Sequence, residues 1–134
     1  LLCLTATDMP NLVGIKKETC MRKYGSVPIK TMYAHETAIR ILISSSVLAV
    51  TRQGHGARPI LAHSTDHYVR VYIETIRGKE KAKQTMSKLG YITYCAECFE
   101  SKVATLFEPK EKMCIECGTT LQSAGPLWID ELAD

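Results

Sequence analysis

The sequence predicts an α/β protein. Residues 1–56 read as the last part of a doubly wound sheet, and 57–134 as an α+β domain carrying a four-cysteine zinc ribbon at 95–122. Three observations carry this. The run Leu1-Leu2-Cys3-Leu4-Thr5-Ala6-Thr7 is apolar without a break, as a strand buried on both faces would be. Residues 68–76 alternate apolar and polar, as a half-buried strand does. Two Cys-x-x-Cys pairs, Cys95/Cys98 and Cys114/Cys117, stand fifteen residues apart, within the range of a four-thiolate zinc site.

The elements follow in order. After the first strand, Pro10, Asn11 and Gly14 mark a loop, and a short helix runs over 18–24 and is closed by Gly25. A longer helix spans 32–52, with Ile39, Leu42, Ile43, Val47 and Val50 at helical spacing and Gly54 at its end. Strands at 59–65 and 68–76 flank an Asp66-His67 corner, with Val69, Val71 and Ile73 on the buried face. Residues 78–89 form a surface helix with Ala82, Met86 and Leu89 as its stripe, ended by Gly90. Residues 91–94 lead into the ribbon, which is too small for a core of its own and would rely on the metal. Gly125-Pro126-Leu127-Trp128 reads as a turn carrying the only tryptophan.

At 134 residues the chain can bury one modest core, or parts of two, and 46% hydrophobic with 23% charged residues is ordinary for a globular protein. No apolar run reaches the ~18 residues of a membrane span. The opening residues lack the basic lead-in and cleavage site of a secretory signal. With no initiating methionine and an abrupt end, the chain reads as a fragment. The net charge of +3 is uneven. Residues 1–58 carry +5 and 59–94 carry +3, whereas 95–134 carry −5. A phosphate backbone would be steered to the first two thirds, not to the cysteine-bearing end.

Each candidate site has a plainer reading beside it. The four cysteines could be reduced structural thiols or two disulfides. The missing secretory signal argues against disulfides, and paired Cys-x-x-Cys at ribbon spacing argues for one shared Zn²⁺, structural because protein fills all four positions. Cys3 and Cys20 read as small buried residues. Asp8, with Thr7, ends a buried strand where open α/β sheets place ligands, or simply caps its own turn. Arg22-Lys23-Tyr24 combines charge with an aromatic ring, suited to phosphate contact and stacking. It equally suits the basic end of a helix. Glu36 and Arg40 form an i,i+4 pair typical of a helix surface, and His67 reads as solvated.

Taken in order, these segments resemble one family. The string LLCLTATDMPNLVG, the segment Glu18-Thr19-Cys20-Met21-Arg22-Lys23-Tyr24-Gly25, and His35-Glu36-Thr37-Ala38-Ile39-Arg40 are similar to the tRNA (guanine-N2)-dimethyltransferases. The likeness continues through Asp66-His67-Tyr68-Val69-Arg70-Val71-Tyr72 to Gly125-Pro126-Leu127-Trp128. It implies an S-adenosylmethionine-dependent enzyme that methylates N2 of guanine 26 in tRNA, on a Rossmann-like methyltransferase sheet followed by a family-specific domain. This chain would begin at the fifth strand of that sheet. The family's glycine-rich cofactor loop and Asp-Pro-Phe-Gly motif are absent: there is no Asp-Pro dipeptide, and Gly54-His55-Gly56 follows a helix, the wrong context for such a loop. No catalytic or cofactor-binding residue is therefore assigned within the chain.

What it would contribute is Asp8 as a pocket wall, and Arg22, Lys23 and Tyr24, with Lys16 and Lys17, as tRNA contacts. The partner implied is tRNA, with no membrane and no obligate protein partner. The location implied is cytoplasmic, or nuclear or mitochondrial in a eukaryote. The competing expectation is a stand-alone zinc-ribbon module that binds nucleic acid or protein.

Overall fold

The computed structural model of the chain describes residues 1–29 and 34–132. Strand β1 (Leu2–Ala6) is followed by helices α1 (Met9–Leu12), α2 (Lys17–Tyr24) and α3 (Ala34–Thr51). A hairpin of β2 (His55–Ser64) and β3 (Val69–Arg77) leads to α4 (Lys79–Met86), and β4 (Leu89–Tyr94), β5 (Ser101–Thr105) and β6 (Gln122–Trp128) complete the chain. The elements form two small antiparallel sheets, ordered β1-β3-β2 and β5-β4-β6.

Local chemistry explains most of these boundaries. Gly25 ends α2 at φ 71°, in the left-handed region glycine enters without steric cost, and its N–H caps the Met21 carbonyl. In β3 the alternation is realised: Val69, Val71 and Ile73 are fully buried, worth about 1.5–3 kcal/mol each. The start expected for the long helix at Met32 lies outside the described residues. From Ala34 on, its buried side chains include Ala38, Ile39, Ile41, Leu42, Ile43 and Val47, more than one stripe. The reason is its position: α3 packs against β2 and β3 of the first sheet and β6 of the second. One continuous core results, running from Leu12 and Val71 through α3 to Leu89, Leu127 and Trp128.

The structure departs from the sequence reading in several places. Among the described residues the first strand is covered on one face only. Leu1 is 79% and Leu2 39% exposed, and Cys3, expected to be buried, is exposed. Its only pairing among the described residues is with β3, antiparallel, in register Leu2↔Ile73 to Ala6↔Val69. Its second edge and outer face have no cover among them. The segment 125–128 is not a turn but lies inside β6, which pairs with β4 from Leu89↔Trp128 to Tyr94↔Gln122. Gly125 sits there at φ 139°, where a Cβ would stand 2.7 Å from the Tyr91 ring and 2.8 Å from the Gly90 carbonyl, so the strand admits only glycine. The strands that flank the cysteine segment, β4 and β6, insert Leu89, Tyr94, Ala124, Leu127 and Trp128 into the shared core, whereas within 95–122 the buried hydrophobic residues are Cys95 and Cys114.

Arg40 is more than surface support. Its Nη1 donates to the carbonyls of Trp128 and Asp130, both at 2.8 Å, while Nε and Nη2 donate to Glu36 at 3.1 and 3.0 Å. One guanidinium thus ties α3 to the end of β6.

Candidate functional site

The four cysteines converge. All four Sγ atoms lie within 4.8 Å of one another, and Cys98 Sγ stands 3.7 Å from Cys114 Sγ. A tetrahedron with Zn–S bonds of about 2.3 Å has S···S edges of about 3.8 Å, so the cluster has the span one such ion needs. The backbone builds this arrangement twice. Cys95 N–H donates to Glu100 O at 3.0 Å and Phe99 N–H returns to Cys95 O at 2.9 Å. Cys114 N–H donates to Thr119 O at 2.8 Å and Gly118 N–H returns to Cys114 O at 2.9 Å. Each turn places its residue after the second cysteine in left-handed backbone, Gly118 at φ 67° and Phe99 at φ 62°. Glycine suits that conformation and phenylalanine is strained in it. Gly118 was a readable signal of the second turn, whereas nothing in Phe99 announces the first.

The thiols are electrostatically unequal. Cys95 is drawn down to about 7, chiefly by the backbone N–H of Cys98, with further help from Glu97 N–H against the opposing effect of burial. Cys117 is pushed up to about 12, first by its hydrogen bond with Cys98 and then by burial and its other sulfur neighbours. Four sulfur donors that converge on one point form a set suited to a soft metal.

The second candidate region gathers where β1 ends. Asp8 accepts hydrogen bonds from Tyr24 Oη through Oδ1 and from Asn11 Nδ2 at 2.9 Å through Oδ2, with Lys23 Nζ at 3.5 Å. Burial works to raise its carboxyl, but the bonds from Tyr24, Asn11 and its own backbone N–H, with the Lys23 charge, outweigh it and hold Asp8 below its ordinary value. Tyr24 is raised, first by its own burial and then by its bond to Asp8. Cys20, fully buried beneath them, is pushed up to about 11 by burial and the Asp8 charge, which leaves an inert thiol.

Three of the expected residues, Asp8, Lys23 and Tyr24, are therefore in contact with one another. Arg22, Lys16 and Lys17 are exposed on or just before α2. Asn11 joins Asp8, Lys23 and Tyr24 because Met9–Leu12 forms the single helical turn α1, where Pro10 and Gly14 predict a loop. His67 is exposed, as expected.

Comparison with known proteins bears on all of this. The family model described as N2,N2-dimethylguanosine tRNA methyltransferase matches residues 1–134. The tRNA (guanine(26)-N(2))-dimethyltransferase of Methanobrevibacter smithii is 41% identical over 98% of the chain, which spans 34% of that relative. The tRNA (guanine(26)-N(2)/guanine(27)-N(2))-dimethyltransferase of Aquifex aeolicus is 39% identical, with 34% of its length covered. Among solved structures, Trm1 from Pyrococcus horikoshii in complex with S-adenosyl-L-methionine superposes over 99% of the chain, with a TM-score of 0.87 and 31% identity. The chain spans about a third of the length of each. On this evidence the chain belongs to the N2,N2-dimethylguanosine tRNA methyltransferase family.

Proposed function

We propose that the chain is part of a tRNA (guanine(26)-N2)-dimethyltransferase, which transfers methyl groups from S-adenosylmethionine to guanine N2. The observation that carries this reading is the superposition of nearly the whole chain on a third of an S-adenosyl-L-methionine-bound Trm1. The guanine N2 lone pair is delocalised into the ring, so the amine is a weak nucleophile. It needs an acceptor for its proton and a methyl donor held in line. The target base must also leave its stack to meet that geometry. The family motifs expected to supply acceptor and donor site are absent from this sequence, so both belong to the remaining two thirds of the protein.

The role of residues 1–134 is then support and substrate contact. The β1-β3-β2 sheet is read as the end of the Rossmann-like methyltransferase sheet. An antiparallel strand beside β1 fits this reading, since doubly wound sheets often carry one at their edge. A division at Gly78, after β3, keeps that sheet in one unit, whereas a division at 56/57 would cut it. Asp8, clamped by Tyr24 and Asn11, stands as a fixed wall where the ligand would lie. The four cysteines would hold Zn²⁺ as a structural ion, with no position left open for chemistry. A stand-alone ribbon is less well supported, because β4 and β6 share their core with α3. No helix among the described residues is long and apolar enough to cross a membrane. A cytoplasmic location suits an enzyme acting on tRNA.

Arg22 and Lys23 are assigned to the tRNA backbone. Replacing both by alanine in the full-length protein is expected to weaken tRNA binding. It should also lower the slope of log affinity against log salt by about one to two. Arg22 should account for more of this than Lys23, whose Nζ is already 3.5 Å from Asp8. Binding measured across a salt series checks it, and superimposable curves would remove both residues from the interface.

A further inference from the structure

On the face of the first sheet away from α3, which no described residue covers, lies a row of side chains that the roles above leave unused. Thr5 on β1 and His63 on β2 are both in register with Arg70 on β3, so the three line up across the sheet, on the face away from Val69 and Val71. Arg70 Nε donates to Thr5 Oγ1 at 3.0 Å, and its guanidinium lies over the Tyr68 ring, 5.2 Å from the centroid. The Tyr68 ring also meets His63 at a tilt, with centroids 5.8 Å apart. An arginine held by a hydroxyl at Nε and by a ring beneath it has lost much of its rotamer freedom before any ligand arrives.

Its two Nη groups donate no hydrogen bond to the described residues, and no carboxylate among them pairs with it. The acidic groups on this hairpin are engaged elsewhere: Glu74 with Arg58 at 2.9 Å, and Asp66 with His35 at 3.7 Å. A fixed guanidinium whose double-donor edge meets no acceptor among the described residues matches a phosphate diester, which accepts two parallel N–H bonds.

The geometry points to a phosphate-binding site for the tRNA backbone at this row. Arg70 is the phosphate ligand, His63 a neighbouring donor, and Thr5 and Tyr68 the residues that position the arginine. The row sits at the end of β1 that leads into Thr7 and Asp8, where the proposed enzyme would receive its guanine, so it would hold the strand beside the extruded base. This rests on the tRNA reading above and adds a contact to it.

The test is tRNA binding by the full-length protein over a range of salt concentrations. Arg70→Ala is expected to weaken affinity by about tenfold and to lower the salt slope by about one. Arg70→Lys should recover the slope but only part of the affinity, because an ammonium cannot reproduce the fork. His63→Glu, at an exposed position, should weaken binding at least as much through repulsion. Since it leaves the Thr5 anchor intact, it decides the matter even if Arg70→Ala lowers the melting temperature. A folded His63→Glu protein that binds tRNA as the wild type does at every salt concentration overturns this site and leaves the tRNA reading standing. A wild-type protein with no salt-dependent affinity for tRNA overturns the tRNA reading itself.

Discussion

Replacing any one of Cys95, Cys98, Cys114 or Cys117 by serine in the full-length protein is expected to release its zinc. The wild type should carry one equivalent per chain when purified without chelator. With four sulfurs within 4.8 Å of one another, each substitution removes one of four donors from a set that has no spare ligand. The loss in affinity should exceed the ~10–100-fold that even an outer-shell partner costs. Metal analysis of the variants, with thermal melting in parallel, checks this. Because a structural ion's binding free energy is spent on folding, the two readouts should fall together. The Cys95-to-Leu121 loops should loosen first, while the core around Trp128 persists, since it does not depend on the ion. Wild-type protein without metal would end the assignment.

Trp128→Ala should be the most damaging single substitution in the core. The indole is 1% exposed, its Nε1 donates to Glu131 O at 2.8 Å, and its own carbonyl is one of the two that Arg40 grips. Truncation would leave a cavity where β6 meets α3 and would free the last residues from their anchor. Losses of about 3–5 kcal/mol are usual for tryptophan or phenylalanine truncated in a core. Denaturant unfolding of the full-length protein measures it. A change below about 1 kcal/mol would mean that this end of the chain is not part of the cooperative core.

The contrast between these two sites shows what the sequence could carry. Metal-ligand spacing is local, so Cys-x-x-Cys announced the four-cysteine cluster without knowledge of the fold. The Gly25 stop of α2 and the alternation of β3 were legible for the same reason. β1 was legible as a strand, but an apolar run has no period that says which of its edges is paired. β6 was misread because Gly125-Pro126 is turn chemistry locally, and only pairing with β4, decided more than thirty residues away, makes it a strand. The Glu36–Arg40 spacing was legible, but not the two carbonyls that Arg40 reaches 88 and 90 residues along the chain. Asp8 could be placed at the end of β1. That Tyr24 and Asn11 fasten it could not be known before α1 and α2 were folded beside it.

The most direct test of the central claim is to give the purified full-length protein unmodified tRNA and isotopically labelled S-adenosylmethionine, then digest the RNA and identify the modified nucleoside. The expected product is N2-methylguanosine converting with time to N2,N2-dimethylguanosine, mapped to position 26. Label on another atom or another base, or an RNA that stays unlabelled with folded, zinc-loaded enzyme, would contradict it.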